Sequence, residues 1–510
     1  MLGWIALQFC AGLLMSLAHP FRWNEIEIDP GILNFISASV GIAVFMKVSS
    51  LRSKGRTRFL LGLWGAWVFY FVSLYWIVFA LKVYGELPAV LALFSAAALS
   101  LYCALYLGVW SWLCGLTRVR DLSIFHRIII WASLWAGLET LREYLLTGFP
   151  WAEIGQHFAA WPSIAKTASL WGVHGLSFWW IVVVSIVLHL DEWWQSKKAR
   201  MGVATLAVLI VLTGAISHYL YFDRSPSDSK DFKVSIIQPN IDQGIKWNAP
   251  MAGDHLQNLI ELTRSASQSR PDLIVWPETA YPFLLANNQR QMPFESNTPL
   301  LFGAVLSEAR MNRNSAILLQ DDQMLSRYDK VQLVPFGEYV PFEDYLPFEK
   351  LVANVGRFLA GSIDQEDIVI KDVNIGPLIC YEDIFSAHSV HHARSGAQLL
   401  VNLTNDAWYG RSSALAQHAA LSKLQAYQTA LPLVRATNTG LSLSLDFSEE
   451  KELEINKQEI LTSMLSIPTN PTKTFFVLTY PLMQWIWWII FAIAFLWKSK
   501  VPRKRIFFHE

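Results

Sequence analysis

Residues 376–382 read Gly-Pro-Leu-Ile-Cys-Tyr-Glu, so a short apolar run ends at Cys380 and polar residues follow at once. Comparable short, largely apolar runs occur at 234–237, 273–276, 316–319 and 399–403. Because apolar and polar residues do not alternate strictly within them, these runs are typical of strands buried on both faces. Helices are predicted at His255–Ala266 and Ser413–Thr429, where apolar residues recur near a period of 3.6. We therefore expect one α/β domain of layered sheets and helices between about residues 225 and 472.

The overall composition separates this chain from soluble proteins. Hydrophobic residues make up 53% of its 510 residues and charged residues 16%, against about 25% charged in an average soluble protein. Lysine and arginine number 41, as do aspartate and glutamate, so no net positive charge exists to hold a nucleic-acid backbone. We therefore expect a protein that lies partly in a membrane and binds no nucleic acid.

Eight stretches are long and apolar enough to suggest membrane-spanning helices, which need roughly 20 apolar residues. Five have no Asp, Glu, Lys or Arg between their ends, and each predicts one spanning helix: they lie between Arg58 and Lys82, Glu86 and Arg118, Lys166 and Asp191, Arg200 and Asp223, and Lys473 and Lys498. Three further candidates are Met1–Ala18, the short Gly31–Met46, and Ile128–Leu145, whose second half carries Glu139, Arg142 and Glu143. These stretches predict a helical bundle of about eight spans.

The orientation of this bundle follows from its basic residues, which collect on the cytoplasmic side of membrane proteins. Lysines and arginines cluster after the second, fourth and sixth spans, at 47–58, 118–127 and 197–200, and again in the tail at 498–505. We therefore expect both termini in the cytoplasm and the insert between the seventh and eighth spans in the periplasm. The predicted domains are residues 1–222 with seven spans, the insert 223–472, and 473–510 with the eighth span and the basic tail.

Three predicted strands of the insert end in residues that can carry chemistry. Glu278 follows the run 273–276 and Pro277, Lys330 lies in the segment Tyr-Asp-Lys-Val-Gln-Leu-Val-Pro-Phe-Gly-Glu at 328–338, and Cys380 directly follows the run 376–379. Ligands of α/β sheets collect at such strand ends. A carboxylate can take the proton of a thiol while an ammonium group stabilises the thiolate and a developing oxyanion. The three residues together therefore indicate covalent acyl transfer.

Each of the three residues also has a purely structural explanation. Cys380 taken alone is more often a small buried hydrophobic residue, Glu278 could cap a helix, and Lys330 could be an exposed loop charge. The other cysteines, Cys10, Cys103 and Cys114, lie in apolar runs, and the spacing of the four provides no disulfide or metal framework. An unpaired thiol in an oxidising compartment favours the functional interpretation of Cys380. We expect neither a metal nor another cofactor.

Three motifs in this order resemble a known active site. Trp-Pro-Glu at 276–278, Asp329-Lys330 followed by Leu-Val-Pro-Phe-Gly-Glu-Tyr-Val-Pro at 333–341, and Ile-Cys-Tyr-Glu-Asp at 379–383 resemble the Glu-Lys-Cys triad of the carbon-nitrogen hydrolase (nitrilase) superfamily. With seven spans before this domain and one after it, the whole chain resembles the bacterial apolipoprotein N-acyltransferase family. Segments 147–151, 405–410, 417–418 and 435–440 support this resemblance. It implies a nitrilase-like αββα sandwich attached to the helical bundle.

The resemblance also implies a reaction and its catalytic residues. Glu278 would be the proton acceptor, Lys330 the support for the oxyanion, and Cys380 the nucleophile. Cys380 would take the sn-1 acyl chain of a phospholipid as a thioester, which the α-amino group of a diacylglyceryl-cysteine at a lipoprotein N-terminus would then attack. The expected partners are thus a phospholipid donor, a diacylated apolipoprotein acceptor and membrane lipid, and the expected enzyme is a monomer of the bacterial inner membrane.

Accessory roles are suggested for further residues, each with a structural alternative. Glu338 would orient Lys330 or be a surface charge; Tyr381 and Glu382 would shape the pocket, unless Glu382 merely accepts bonds from backbone donors. Trp408 and Tyr409 are candidates for substrate binding. Glu139 and Arg142, costly at membrane depth, would contact lipid headgroups or pair with each other at an i, i+3 spacing.

Two other functions remain open from the residues. A membrane-anchored amidase of the same superfamily would use the same triad, with water in place of an amine. A transporter or receptor with a ligand-binding external domain is the alternative of another class. Against it, the spans lack paired segments broken by Gly or Pro and contain few charges of the kind that line a substrate path.

Overall fold

The structure is a computed structural model that describes residues 1–510 except 24–25, 52, 195–196, 223–227, 309–310, 342–356 and 497–510. Arg52 and the basic tail at 498–505, both used to predict orientation, lie outside the described residues. The described chain comprises helices before residue 223, an α/β insert, and one long helix near the C-terminus.

The N-terminal part is helical apart from one small hairpin. Its helices are α1 Leu2–Ser16, α2 Ile32–Ser49, α3 Gly55–Ser73, α4 Trp76–Val83, α5 Ala89–Cys114, α6 Thr117–Arg120, α7 Ile124–Arg142, α8 Pro162–Ala165, α9 Ala168–Leu188, α10 Leu190–Trp194 and α11 Lys197–Ser217. The strands β1 Phe21–Trp23 and β2 Ile26–Ile28 pair antiparallel between α1 and α2. Helices α1 and α3 cross so closely that a Cβ on Gly12 would lie 2.3 Å from the Gly65 carbonyl oxygen. Small residues at such crossings let membrane helices pack backbone to backbone.

Five helices of the described residues are long and apolar enough to cross a membrane: Ile32–Ser49, Ala89–Cys114, Ala168–Leu188, Arg200–Phe222 and α15, Phe475–Leu496. Helices α3 and α4 count as a sixth if they form one bent span. The first candidate, α1, has 15 residues, and α7 has 19 residues that include Glu139 and Arg142. The count of eight spans therefore stays a prediction.

The stretch between Arg58 and Lys82, predicted as one spanning helix, consists of two helices, because α3 and α4 meet at a bend of 56°. The Ser73 carbonyl accepts a hydrogen bond from Gln417 of the insert at 3.1 Å, and the amide of Ile77 bonds the Leu74 carbonyl instead. A polar group of the insert thus takes the acceptor that would have continued the helix.

The insert contains two six-stranded sheets. Its strands are β3 Ser229–Gln238, β4 Leu273–Val275, β5 Leu284–Ala286, β6 Gln291–Glu308, β7 Met311–Asp329, β8 Ile368–Ile370, β9 Val373–Ile379, β10 Leu399–Thr404, β11 Leu433–Thr437, β12 Leu443–Leu445, β13 Glu450–Glu452 and β14 Glu459–Pro468. One sheet has the order β14-β3-β4-β6-β5 with β7 paired to β6, and the other β13-β12-β11-β10-β9-β8. All five predicted strand segments lie in these strands or within one residue of their ends. The central pairs β3-β4, β4-β6, β9-β10 and β10-β11 are parallel.

Helices cover the outer faces of the two sheets and complete four layers. Helix α12, Ala252–Ser267, packs on β3 and β4, whereas α13, Ser386–Ser395, and α14, Ala414–Thr429, pack on β9 and β11. The two sheets face each other, with β3 against β11 and β7 against β9. Both helices predicted in the insert are present, and the layering is the αββα sandwich that the sequence resemblance implies. Glu278 and Cys380 therefore follow strands of two different sheets, β4 in one and β9 in the other.

One side chain of α14 ties the insert to the helical bundle. The Gln417 side-chain oxygen accepts bonds from Trp76 Nε1 at 3.1 Å and Trp151 Nε1 at 2.8 Å, and its nitrogen donates to the carbonyls of Ser73 and Pro20. All four partners belong to the N-terminal part of the chain. The insert is therefore held at a defined position against the bundle.

Candidate active site

Glu278, Lys330 and Cys380 come together although they are far apart in the sequence. Glu278 lies three residues after β4, Lys330 directly follows β7, and Cys380 directly follows β9. Lys330 Nζ lies 3.2 Å from Glu278 Oε1, and the Cys380 thiol is close enough that both charges act on it. The exposed fractions are 6% for Glu278, 1% for Lys330 and 6% for Cys380, so the cluster is shielded from water.

The backbone at Cys380 is strained where the chain leaves β9. Its φ angle is +50°, in the left-handed region that a residue with a side chain rarely adopts. The residue begins a 3-10 turn, Cys380–Ile384, and its carbonyl accepts a bond from Asn402 Nδ2 at 3.3 Å. Strain of this kind persists where the surrounding structure fixes it, and it is concentrated at functional positions.

The pKa values of the Cys380 thiol and of the Lys330 ammonium group are both raised, for different reasons. Burial raises the pKa of Cys380 well above its ordinary value, Glu278 raises it further, and the opposing effects of Lys330 and a Thr404 hydrogen bond are smaller. Burial alone would lower the pKa of Lys330, but the carboxylates of Glu278 and Glu338 raise it well above its ordinary value. At neutral pH the site therefore holds a protonated thiol beside a permanently charged ammonium group, so the thiol needs a proton acceptor when it attacks.

Glu338 and Asn314 hold the charged pair in place. Glu338 Oε1 accepts bonds from Lys330 Nζ and from Asn314 Nδ2, both at 3.0 Å, and its Oε2 accepts from the Val334 amide. Asn314 Nδ2 also donates to Glu278 Oε1 at 2.7 Å. Of the two explanations considered for Glu338, contact with the lysine is the one that the geometry supports. Asn314 was not predicted, because it lies within β7 and no motif marks it.

Tyr381 and Glu382 directly follow Cys380 in the chain and stabilise the turn that begins there. The Tyr381 hydroxyl donates to the Gly148 carbonyl at 3.3 Å, which joins the turn to the segment after α7. Glu382 accepts bonds from the amides of Ile379, Val331 and Gln332 and from the Tyr328 hydroxyl. Burial raises the pKa of Glu382 to about 7, and the backbone donors act against this shift. The structural alternative stated for Glu382, that of satisfying backbone donors, describes its contacts.

Trp408 and Tyr409 lie at the edge of the site. The Tyr409 ring is half-buried against Trp76 and Trp151, at centroid distances of 4.9 and 6.2 Å. Burial and the nearby Cys380 raise the pKa of its hydroxyl well above the ordinary value. The Trp408 side chain is 41% exposed and contacts Tyr84. Both residues are therefore positioned to border a substrate, which stays a prediction.

Glu139 and Arg142 are not brought to the site and have no surface that lipid headgroups could reach. Their exposed fractions are 3% and 0%. Arg142 donates to the Trp151 carbonyl at 2.7 Å and lies 3.7 Å from Glu153, while Glu139 accepts from Trp135 Nε1 and the Ile154 amide. The predicted headgroup contact is therefore corrected to an internal role, because the chain after α7 folds back over both side chains and supplies their partners.

Two further features of the site were not predicted. Lys246, 3% exposed, donates to the Glu278 carbonyl and to Thr279 Oγ1. Behind Cys380, His418 bridges Asp383 at 2.7 Å and Asp406 at 2.8 Å, and Arg435 pairs with Asp406 at 3.0 Å. Lys246 lies eight residues beyond the end of β3, so the rule that located Glu278 and Cys380 at strand ends could have drawn attention to its loop. Within the described residues, no group of three His, Cys, Asp or Glu side chains is arranged to hold a metal ion.

Comparison with known protein families assigns both parts of the chain. Residues 11–187 match the family model described as apolipoprotein N-acyltransferase N-terminal domain. Residues 233–465 match the model described as carbon-nitrogen hydrolase. The second match covers the αββα insert and includes Glu278, Lys330 and Cys380.

Individual relatives match over most of the chain. A protein named apolipoprotein N-acyltransferase from Geobacter metallireducens is 36% identical over 456 residues, which are 86% of this chain and 84% of the relative. One of the same name from Rhodopseudomonas palustris is 30% identical over 92% of this chain and 91% of its own. Among solved structures, Saccharomyces cerevisiae Nit3, a nitrilase superfamily member, aligns with 46% of this chain and 90% of its own at 15% identity and a TM-score of 0.34.

Proposed function

This chain belongs to the apolipoprotein N-acyltransferase family, and we propose that it moves the sn-1 acyl chain of a phospholipid to the N-terminal amino group of a diacylated lipoprotein. The observation that carries this proposal is the buried cluster of Glu278, Lys330 and Cys380, held against the membrane bundle. Both substrates keep their acyl chains in a bilayer. A site beside the bundle therefore holds the reacting ester and amine close to the thiol, and they need not diffuse to it through water.

In the first half-reaction, the Cys380 sulfur attacks the sn-1 ester carbonyl while the thiol proton passes to Glu278. Lys330, which retains its charge because of Glu278 and Glu338, stabilises the tetrahedral oxyanion. The bond from the carbonyl carbon to the glycerol oxygen then breaks. Glu278 returns its proton to that oxygen, so a lysophospholipid leaves and a thioester remains on Cys380.

In the second half-reaction, the amino group of the diacylglyceryl-cysteine attacks the thioester. Glu278 accepts a proton from the attacking nitrogen and delivers it to the departing sulfur, which regenerates the thiol. The product is an amide-linked third acyl chain. The match of residues 11–187 to the apolipoprotein N-acyltransferase N-terminal domain, and the relatives of that name, support transfer to an amine over loss of the acyl group to water, so the amidase alternative is less supported.

The arrangement in the membrane is part of the same proposal. We place residues 1–222 and 473–510 in the bacterial inner membrane as eight spans, with both termini cytoplasmic and the domain 223–472 periplasmic. The basic connections of the bundle support this orientation. We expect the enzyme to act as a monomer, since all groups of the site come from one chain.

The test is mass spectrometry of lipoprotein N-termini from cells that depend on this protein for the third acyl chain. We expect an amide-linked third chain with the wild-type protein and two acyl chains with Cys380→Ala. This substitution removes little volume, so the variant should retain its fold and membrane insertion. Detection of triacylated lipoprotein with a folded Cys380→Ala protein would contradict the proposal.

A further inference from the structure

Lys246 donates hydrogen bonds to the turn that begins at Glu278, the residue proposed as proton acceptor. Its Nζ lies 3.2 Å from the Glu278 carbonyl oxygen and 2.8 Å from Thr279 Oγ1. Thr279 has a φ angle of +49°, so the turn after Glu278 adopts a strained conformation that needs support. On the other side of the turn, a Cβ on Gly303 would lie 2.6 Å from Glu278 Cα. The glutamate is thus fixed between the sheet and Lys246.

Lys246 adds a second positive charge beside the cluster formed by Glu278, Lys330 and Glu338. Glu278 and Glu338 are two carboxylates, and Lys330 pairs with both of them. These three groups leave one negative charge, which opposes formation of an anionic intermediate in a poorly solvated site. The neighbouring ion pairs provide no excess positive charge, because the carboxylates of Asp383 and Asp406 pair with His418 and Arg435. Lys246 is the additional buried cation, and it interacts electrostatically with both Glu278 and Cys380.

Building on the proposed function, we propose that Lys246 is a positioning residue whose positive charge aligns Glu278 and offsets the negative charge that develops when Cys380 attacks. Lys330 and Lys246 then have separate tasks. Lys330 contacts the carboxylates directly, whereas Lys246 contacts the backbone of Glu278. The two hydrogen bonds of Lys246 do not require a positive charge, but stabilisation of the transition state does. A neutral lysine keeps the ability to donate to a carbonyl, so loss of charge and loss of contact can be separated experimentally.

The charge of Lys246 responds to pH in a convenient range. Burial lowers the pKa of Lys246 to about 8, and Glu278 and Cys380 oppose this shift. These are the two titratable groups that act on it from the turns after β4 and β9; on its own side, His255 bonds the carbonyl of Ile245. Lys246 is therefore charged below about pH 8 and loses its charge above it. Cys380 does not ionise in this range, because its pKa is raised well above the ordinary value by burial.

The first test measures thioester formation on the full-length protein in detergent, with a phospholipid as donor and no lipoprotein acceptor. We expect Lys246→Met to lower the rate constant by at least tenfold with little change in the donor concentration for half-maximal rate, and Lys246→Arg to recover most of the rate. Lys230→Met is the matched control, since Lys230 also donates to two carbonyls of a turn, those of Lys371 and Asp372, but lies outside the site. It should acylate like the wild type.

The second test is the pH profile of the same acylation step, which does not require that Lys246→Met folds. We expect the wild-type rate to fall as pH rises through about 8, and the Lys246→Arg rate to persist to higher pH because arginine stays charged. If the rate of the wild type and that of Lys246→Arg fall equally as pH rises, the proposed role of Lys246 is overturned. A folded Lys246→Met protein that acylates at the wild-type rate would overturn it too, and neither result would affect the proposed function. A wild-type protein that forms no thioester would instead overturn the proposed function.

Discussion

Glu338 uses both carboxylate oxygens inside the site, although its side chain is 12% exposed. Oε1 accepts from Lys330 and Asn314, and Oε2 accepts from the Val334 amide. The same carboxylate therefore keeps Lys330 charged and fixes the loop after β7 that carries the lysine. Without it, the Lys330 ammonium would interact with Glu278 alone and make that carboxylate a poorer proton acceptor.

We predict that Glu338→Gln lowers the rate of acyl-enzyme formation by about tenfold, which corresponds to about 1.4 kcal/mol of transition-state stabilisation. The amide keeps the shape of the side chain but removes its charge, and its NH2 group cannot accept from the Val334 amide. Single-turnover acylation with a phospholipid measures the effect. Glu261→Gln on the exposed face of α12 is the control, and an equal rate in the two variants would show that acylation does not need the charge of Glu338.

Single residues could be predicted where a strand ends and not where it continues. Glu278 and Cys380 follow short apolar runs, so the change from apolar to polar residues in the sequence marks them. Asn314 contacts Glu278 at 2.7 Å from within β7, where neither spacing nor composition distinguishes a functional asparagine. Neither headgroup contact nor an i, i+3 pair, the two alternatives stated for Glu139 and Arg142, describes their contacts, because their partners come partly from a later segment, 151–154, whose path the sequence does not show.

At the scale of elements, helix α14 fixes the two turns that border Cys380. His418 lies between Asp383, in the turn after β9, and Asp406, in the turn after β10. Both partners are carboxylates that can only accept, so both ring nitrogens donate and the imidazole is a cation. Burial would lower the pKa of His418, but the two carboxylates raise it to about 9, with Arg435 acting against them.

We predict that the stability of the protein falls as pH rises from about 6.5 to 9. The folded pKa of His418 lies above its unfolded value, so its contribution is fully present below about 6.5 and is lost as the folded protein deprotonates near 9. The loss is on the order of 3 kcal/mol. Thermal unfolding followed by tryptophan fluorescence in detergent measures it.

His418→Gln should be less stable at pH 7 and should reduce this pH dependence. His391→Gln on α13 is the control, because burial lowers the pKa of His391 and it does not titrate in this range. A wild-type unfolding temperature that stays constant between pH 6.5 and 9, or an unchanged slope in His418→Gln, would exclude the charged bridge.

Elements of the insert were more predictable than those of the bundle. The five strand segments and two helices predicted there follow apolar patterns that the local sequence contains. The bend between α3 and α4 depends on Gln417, more than 300 residues later, which bonds the Ser73 carbonyl. No Pro or Gly marks this break, so a stretch free of charge predicted one continuous helix.

At the scale of the whole molecule, the helical bundle and the insert are joined next to the active site. Tyr381 bonds Gly148, and Gln417 bonds Trp76 and Trp151, whose rings also contact Tyr409. The groups that shape the thiol's surroundings therefore belong to both parts. The helical bundle therefore supplies part of the surroundings of the site.

We predict opposite accessibility for two engineered cysteines in a Cys10→Ala background. Gln257→Cys, on the exposed face of α12, should react with a membrane-impermeant maleimide in intact spheroplasts. Arg56→Cys, at the start of α3, should react only after lysis, because the connection between α2 and α3 is proposed to be cytoplasmic. Labelling of the two positions in the reverse order would contradict the proposed orientation.

The most direct test of the proposed acyl transfer is intact-mass and peptide analysis of the purified wild-type protein after incubation with a phospholipid of defined sn-1 chain. We predict an added mass equal to that acyl chain, located on the peptide that contains Cys380, removed by neutral hydroxylamine, and released in the presence of a diacylated lipopeptide that gains an amide-linked chain. An acyl chain located on another residue, or a lipopeptide that gains its third chain in folded Cys380→Ala, would contradict it.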